Sequence, residues 1–341
     1  MRKSFTILSL SVVLLLLRWD LAQAEWFSDE QEKMGTRVEV QLWSDDRAVA
    51  EELIAQAMAE LDRIEALMST YMDTSEMSRV NASAYAQPQK VTAELFGLLK
   101  IAMEISVATD GAFDISYDSV GQLYDFRAGK HPDENQIAAQ LENIDYHHVI
   151  LDEAAQTVSF KTPGVRINLG GIAKGYSVER VIRLLREAGV EHALATAGGD
   201  TRILGDRRGK PWIVGVRDPN QRDGIFTRIP LDDEAISTSG DYERFFEVGG
   251  VRYHHILDPR TGYPSKGCMT ATVVATHAEY ADALATALCV LGPEKGLALI
   301  EKLPRVEAIV VGLDGKAAAS TGLQSSLIKP GSKPKAAQVG K

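Results

Sequence analysis

The amino-acid sequence predicts an α+β fold with mixed, largely antiparallel sheets packed against helices. Three observations carry that expectation. Helices are expected after Asp45, from Thr92 to Ala108, after Gly171, and from Glu279 to Leu291, the first and third with an apolar stripe along one face. From His192 onward the pattern turns mostly to short strands at hairpin spacing, which favours antiparallel pairing over alternating βαβ units. Between Met34 and Leu327 no stretch is rich enough in Pro, Gly or Ser to separate independent domains, and no period repeats. Residues 25–328 are therefore expected to form a single catalytic domain, or two intimate subdomains.

The ends differ from this body. Arg2 and Lys3 precede an apolar run from Phe5 to Leu17, and Ala22-Gln23-Ala24 supplies a small-x-small cleavage site. This is a secretory signal, with cleavage expected after Ala24 and a periplasmic or otherwise exported product. The run is too short to favour a spanning helix, although Arg18 and Asp20 leave an uncleaved anchor as the lesser alternative. No cysteine stands at the cleavage point for a lipid anchor. Residues 329–341, rich in Lys, Pro, Gly and Ser, are expected to be a disordered basic tail. The whole chain carries a formal net charge of −10, and residues 1–24 hold three basic and one acidic residue, so the remainder is more acidic still. Such a charge argues against nucleic acid or anionic membrane as a partner. Cys268 and Cys289 are the only cysteines. Both lie in apolar segments, and two buried thiols or a disulfide both remain open.

In chain order, residues 25–33 read as a polar lead-in. Met34-Gly35-Thr36 opens a strand in which Val38, Val40 and Leu42 alternate with polar residues. Ser44 and Asp45 are candidate caps for the first helix, whose apolar stripe is Leu53, Ala57, Leu61, Ile64 and Met68. Ser69 to Asn81 is too polar for a core and too aperiodic for a helix. After the second helix, Ala112-Phe113-Asp114-Ile115 turns toward an extended segment. A surface loop over 120–135, a short helix and strands near 148 and 158 follow.

Next comes the most distinctive stretch, Asn168-Leu169-Gly170-Gly171-Ile172-Ala173-Lys174-Gly175-Tyr176. An extended segment, Val165 to Leu169, runs into paired glycines and then into a helix with Val178, Val181, Ile182 and Leu185 along one face. Glycines permit close backbone approach, the helix start offers free N–H groups, and Lys174 adds a cation. This is the build of a phosphate or pyrophosphate cradle, or else simply a tight strand–helix turn. It is neither a Walker loop, because Gly175 follows Lys174, nor a Gly-x-Gly-x-x-Gly fingerprint.

Other residues offer chemistry one at a time. Asp282 and Thr286 lie four apart on the helix beginning near Glu279, presenting a carboxylate and a hydroxyl on one face. These are hard donors of the kind Mg²⁺ takes, and equally a dipole-favouring Asp and a back-bonding Thr. His254 and His255 end a strand, so only one of them can point into a given cleft. Tyr71 is suited to stacking on a flat heterocycle or to anchoring a loop. Zinc-type Cys/His spacing and a Gly-x-Ser-x-Gly nucleophile motif are both missing from the sequence.

Taken in order, these stretches resemble the ApbE family, the FAD:protein FMN transferases, from Met34 to about Val311. The series comprises Met34-Gly35-Thr36; Ser69-Thr70-Tyr71 with Ser75-Glu76 and Asn81; Thr109 to Asp114; Asn168 to Gly175; Ala197-Gly198-Gly199-Asp200; Ser237 to Gly240; His255 to Gly262; and Ala281 to Thr286. The resemblance implies an exported, Mg²⁺-dependent enzyme that moves the FMN half of FAD onto a Ser or Thr hydroxyl of a partner flavoprotein, with AMP leaving. It implies flavin contacts at Met34, Tyr71, Ala112, Phe113, Asp114, Asn168, Lys174 and Leu257. It implies a metal held by Asp282, Thr286 and main-chain oxygen around Gly171, with Ala285 near. His255 matches the histidine that handles the acceptor's proton, which leaves His254 as its outward neighbour. Lys174 would share in neutralising the diphosphate. Family members that hydrolyse FAD to FMN and AMP, and a flavin binder without turnover, are the alternatives to transfer. The expected acceptor is a respiratory electron-transfer subunit or an FMN-binding domain, and membranes enter only through it.

Overall fold

The computed structural model describes residues 24–219, 221 and 224–326. The expected signal segment up to residue 23 and the basic tail lie outside these residues. Nine-residue strands β1 (Glu25–Lys33) and β2 (Thr36–Ser44) form a hairpin, followed by α1 (Arg47–Met68), α2 (Glu76–Ser83), β3 (Gln89–Lys90) and α3 (Ala93–Ala108). Then come α4 (Asp118–Gly121), α5 (Glu134–Leu141), β4 (Val149–Asp152), β5 (Thr157–Phe160) and α6 (Ala173–Glu187). The strand-rich half holds β6 (Ala193–Ala197), β7 (Asp200–Leu204), β8 (Trp212–Arg217), β9 (Ile225–Leu231), β10 (Ala235–Gly240), β11 (Phe245–Val248), β12 (Val251–His254) and β13 (Thr270–Ala275). The last elements are α7 (Ala278–Ile300), β14 (Glu307–Val311) and β15 (Ala317–Ala319).

Eight strands form one sheet in the order β1-β2-β6-β7-β10-β13-β14-β15, every neighbouring pair antiparallel. Alternation along each strand sorts its side chains between two cores. Val38, Val40, Leu42, Ala271, Val273, Ala308 and Val310 face the layer made by α1, α6 and α7. Ile203, Ile236, Val274 and Ile309 point the other way, where the β8–β9 hairpin covers them with Trp212, Val216 and Ile229. Burying a side chain of this size contributes roughly 1.5–3 kcal/mol, so both faces of the sheet are strongly held. Helix α7 is long and apolar enough to cross a membrane, but 56% of its most apolar window is buried against the sheet and α6. Its apolarity serves the core. It bends at Gly292-Pro293, where proline removes a backbone donor.

Five local expectations are corrected or refined. Residues 25–33 are strand β1, paired along its whole length with β2, rather than a lead-in. Only Phe27 is buried on it, and Trp26 packs edge-on to Trp43 and Trp212, so no alternating pattern marks the strand. Residues 76–83 are helical: the Ser75 hydroxyl accepts from the Ser78 N–H at 2.9 Å, and Met77 and Val80 are buried one turn apart. After Asp114 the chain forms a 3₁₀ turn, Ile115–Tyr117, and then α4, instead of an extended segment. Val165 to Leu169 runs without a strand ladder. Asn81 takes the place of a neighbouring strand, accepting from the Ile167 N–H and donating to the Ile167 carbonyl, each at 2.8 Å. The cap of α1 is Asp46, one residue beyond the expected pair. Cys268 and Cys289 are both buried and free.

Candidate active site

The site is built where α6 starts against α7. A Cβ on Gly175 would lie 2.3 Å from the Ala278 carbonyl oxygen and 2.7 Å from Asp282 Cβ, so only glycine lets the helices approach this closely. The approach brings the Gly175 N–H to 2.9 Å from Asp282 Oδ2. Ile172, at the helix start, offers no side-chain cap, so Asp282 satisfies a first-turn donor from another helix. Lys174 bonds to Asp200 Oδ2, and its Nζ stands 3.7 Å from Asp282 Oδ1. Asp200 opens β7 and accepts the Ser237 hydroxyl from β10, its register partner. At Gly171 an added Cβ would meet Phe113 at 3.2 Å and Thr286 Oγ1 at 3.3 Å, which sets the Gly170-Gly171 turn directly on the Thr286 face of α7. Thr286 Oγ1 is also 3.4 Å from Ser239 Oγ, and Ala285 beside it is fully buried. Gly171, Lys174, Asp282, Ala285 and Thr286 therefore belong to one neighbourhood.

Burial pushes the Asp282 pKa up, the Asp200 carboxylate adds to this, and Lys174 and the Gly175 N–H oppose it. Burial works against the Lys174 ammonium, but Asp200 and Asp282 outweigh it and hold its pKa above the ordinary lysine value. Among the described residues no three His, Cys, Asp or Glu side chains converge. The donor set here is instead carboxylate, hydroxyl and main-chain oxygen. That suits Mg²⁺, which usually keeps water and substrate oxygens and takes few protein carboxylates.

A second wall faces this floor. His255 leaves β12 with its N–H donated to the Arg244 carbonyl at 3.0 Å and its Nδ1 buried without a partner. Burial, then the Arg244 and Lys174 charges, depress its pKa to about 3, so the imidazole is neutral at pH 7. His254 is not outward: it is 5% exposed, and its Nε2 lies 3.0 Å from the Ser265 carbonyl. The Ser265 hydroxyl in turn donates to the Cys289 carbonyl of α7, tying β12 to the metal-candidate helix. The Arg244 guanidinium is exposed, has no acidic partner among the described residues, and donates to the Gly35 carbonyl at 3.1 Å. That contact draws the Met34-Gly35 turn, where Met34 has φ of +53°, toward His255.

The remaining candidates divide in two. Asn168 holds the glycine turn: its Oδ1 accepts from the Gly170 N–H at 2.8 Å while its amide faces Thr70 and Asp118. Tyr71 is 84% exposed beside this corner, free to meet a ligand. Ala112, Phe113 and Leu257 are buried. Asp114 is buried with both oxygens committed, one to the Ser116 N–H and hydroxyl, the other to the Tyr146 N–H at 2.8 Å. Its carboxylate holds the local turn, and only its backbone is left for a ligand. Asp200, Ser237 and Arg244 were given no individual role by sequence reasoning. Asp200 and Ser237 sit within stretches already singled out, and a lone acid directly after Gly198-Gly199 was the available signal. Arg244 had none, because its importance comes from a hairpin that folds back over Gly35.

A Lys–Asp–Asp cluster, a glycine turn at a helix start and a neutral histidine, all carried by an antiparallel α+β domain, define a class of enzyme whose site suits a phosphate-bearing substrate. Residues 34–310 match the ApbE family, and the chain belongs to it. It is 34% identical over 284 residues to the FAD:protein FMN transferase of Klebsiella pneumoniae, covering 82% of this chain and 86% of that one. It is 32% identical over 324 residues to the enzyme of the same name from Treponema pallidum, with 89% of each chain covered. Among solved structures, the ApbE protein of Thermotoga maritima aligns with a TM-score of 0.83 at 31% identity, over 89% of this chain and all of that one. The flavin transferase ApbE of Vibrio cholerae aligns at 0.80 and 30% identity, with the same coverage. As a member of this family the chain is a transferase.

Proposed function

We propose that the chain is an exported, Mg²⁺-dependent FAD:protein FMN transferase. It attaches FMN through a phosphodiester to a Ser or Thr hydroxyl of a partner flavoprotein and releases AMP. The observation that carries this reading is the Lys174–Asp200–Asp282 cluster lying beneath the Gly170-Gly171 turn, with neutral His255 opposite. Asp282, Thr286 and main-chain oxygen around Gly171, with Ala285 near, are the groups that would hold Mg²⁺. Bound there, the ion would neutralise charge on the diphosphate as it cleaves.

The chain's own residues do the rest. Lys174 and Arg244 supply fixed positive charge for the diphosphate, and the turn held by Asn168 brings backbone close to it. Tyr71, Met34, Phe113, Leu257 and backbone at Ala112 and Asp114 are proposed to line the flavin. The acceptor oxygen attacks the FMN phosphorus, its proton passes to neutral His255, and the bond to the AMP phosphate breaks. A bound diphosphate would offset the Arg244 and Lys174 charges that depress His255, so the imidazole becomes a better base once FAD is in place. The acceptor is proposed to be a respiratory electron-transfer subunit or an FMN-binding domain exposed to the same compartment. Export rests on the signal pattern of residues 1–24.

AMP release measured by chromatography tests this. Release that requires Mg²⁺ and rises in step with added acceptor is expected. Release at the same rate without acceptor, accompanied by free FMN, would make the protein an FAD pyrophosphatase. Tight FAD binding with no AMP under any metal condition would make it a binder.

A further inference from the structure

We propose that Asp200 is a positioning residue that holds Lys174 off Asp282 and so keeps Asp282 open to a divalent cation. The inference rests on the metal reading above. Lys174 is a flexible cation between two buried carboxylates. It is hydrogen-bonded to Asp200, whereas its distance to Asp282 Oδ1, 3.7 Å, is ion-pair range without a hydrogen bond. Asp282 Oδ2 is already taken by the Gly175 N–H, so Oδ1 is the oxygen left for a metal. An ammonium seated on Oδ1 would compete with the ion directly.

Asp200 is suited to prevent this. It is 1% exposed and stands at the first position of β7, and its other oxygen accepts from Ser237, also 1% exposed and its register partner across the β7–β10 ladder. The carboxylate is thus fixed by the sheet, while Lys174 reaches it from a helix. Lys174 is half-buried between two buried carboxylates, both within ion-pair reach, so its ammonium is held by one acid or the other. Replacing Asp200 by Asn keeps an acceptor for Ser237 but turns a neutral amide toward the ammonium. Asp282 then becomes the remaining carboxylate partner, and Lys174 moves onto the metal oxygen.

The test is Mg²⁺ binding by calorimetry on the full chain, with melting temperature in EDTA as the check on folding. D200N is expected to weaken Mg²⁺ binding about tenfold or more. S237A, which removes only the anchor, should weaken it in the same direction by less, and it serves if D200N fails to fold. In a K174M background, D200N should change affinity by less than about threefold, since nothing is left to invade Asp282. Unchanged binding in D200N and S237A, with wild-type binding intact, overturns the proposal alone. Equal weakening by D200N with and without Lys174 also overturns it, because Asp200 would then act as a ligand or through its own field. Wild-type protein that binds no Mg²⁺ overturns the metal reading together with the proposal.

Discussion

The two walls of the site are built differently. The floor, where α6 meets α7, consists of charges that already have partners: Lys174 with Asp200, Asp282 with the Gly175 N–H, Asp200 with Ser237. The opposite wall is unfinished. Arg244 has no acidic partner among the described residues, His255 Nδ1 is buried without a hydrogen bond, and Tyr71, at the Asn168 corner between wall and floor, is 84% exposed. A preorganised floor spends no free energy reorganising during reaction, as electrostatic catalysis requires. An unsatisfied wall is what remains when part of its bonding is left for substrate. The contrast predicts that changes in the floor abolish chemistry, while changes in the wall divide between rate and binding.

The largest effect is expected at Asp282. Asp282→Asn retains an acceptor for the Gly175 N–H and should lower metal-dependent turnover by more than about 10³-fold, with little change in melting temperature. Asp282→Ala adds a structural cost, since it orphans that buried N–H, and should destabilise by about 1–3 kcal/mol in a denaturant titration. Near-normal turnover of Asp282→Asn would remove the floor from the chemistry. His255→Ala should slow transfer about 10²–10⁴-fold while FAD affinity, followed by flavin fluorescence, falls far less. Parallel losses would make this histidine a binding group.

Gly175→Ala tests the helix approach itself. Its Cβ has no room beside the Ala278 carbonyl, so a stability loss of about 1–3 kcal/mol is expected, with activity falling as the Lys174–Asp282 spacing opens. Arg244→Gln should raise the KM for FAD and also move the acid limb of the pH profile. Arg244 is among the charges that depress His255, so its removal raises the histidine pKa. More of the imidazole is then protonated as pH falls, and activity is lost at higher pH than in wild type. A profile that stays put would separate Arg244 from His255. The smallest effect belongs to Tyr71→Ala, a loss of stacking worth about 0.5–1.5 kcal/mol in FAD affinity with kcat nearly unchanged.

The same contrast explains what could be read in advance. The helices and most of the later strands are legible from pattern, because α1 and α6 each bury one stripe, α7 is a long apolar run buried on most sides, and the sheet strands alternate between two cores. β13, for example, spans the expected Thr270–Ala275. Strand β1 escaped because an edge strand carrying charge needs no apolar alternation. The apolar run from Val165 to Leu169 carries no sign that it lacks a ladder, because its partner is the side chain of Asn81, 86 positions away from Ile167. In the floor, Lys174, Asp282 and Thr286 stood out by residue type and helical spacing. Asp200 needed the fold, since only the β7–β10 pairing shows that its carboxylate is held by Ser237 and turned to Lys174. His254 shows the limit of strand parity: a residue that faces away from its neighbour need not face solvent, and His254 is buried with its Nε2 on the Ser265 carbonyl.

Transfer and hydrolysis differ in whether flavin reaches a protein acceptor. Intact-mass measurement of a flavin-acceptor domain, after incubation with this protein, FAD and Mg²⁺, asks this most directly. The acceptor is expected to gain the mass of FMN less water on one Ser or Thr, with AMP in equal amount, and Asp282→Asn is expected to give none. An acceptor of unchanged mass beside accumulating FMN and AMP would contradict transfer.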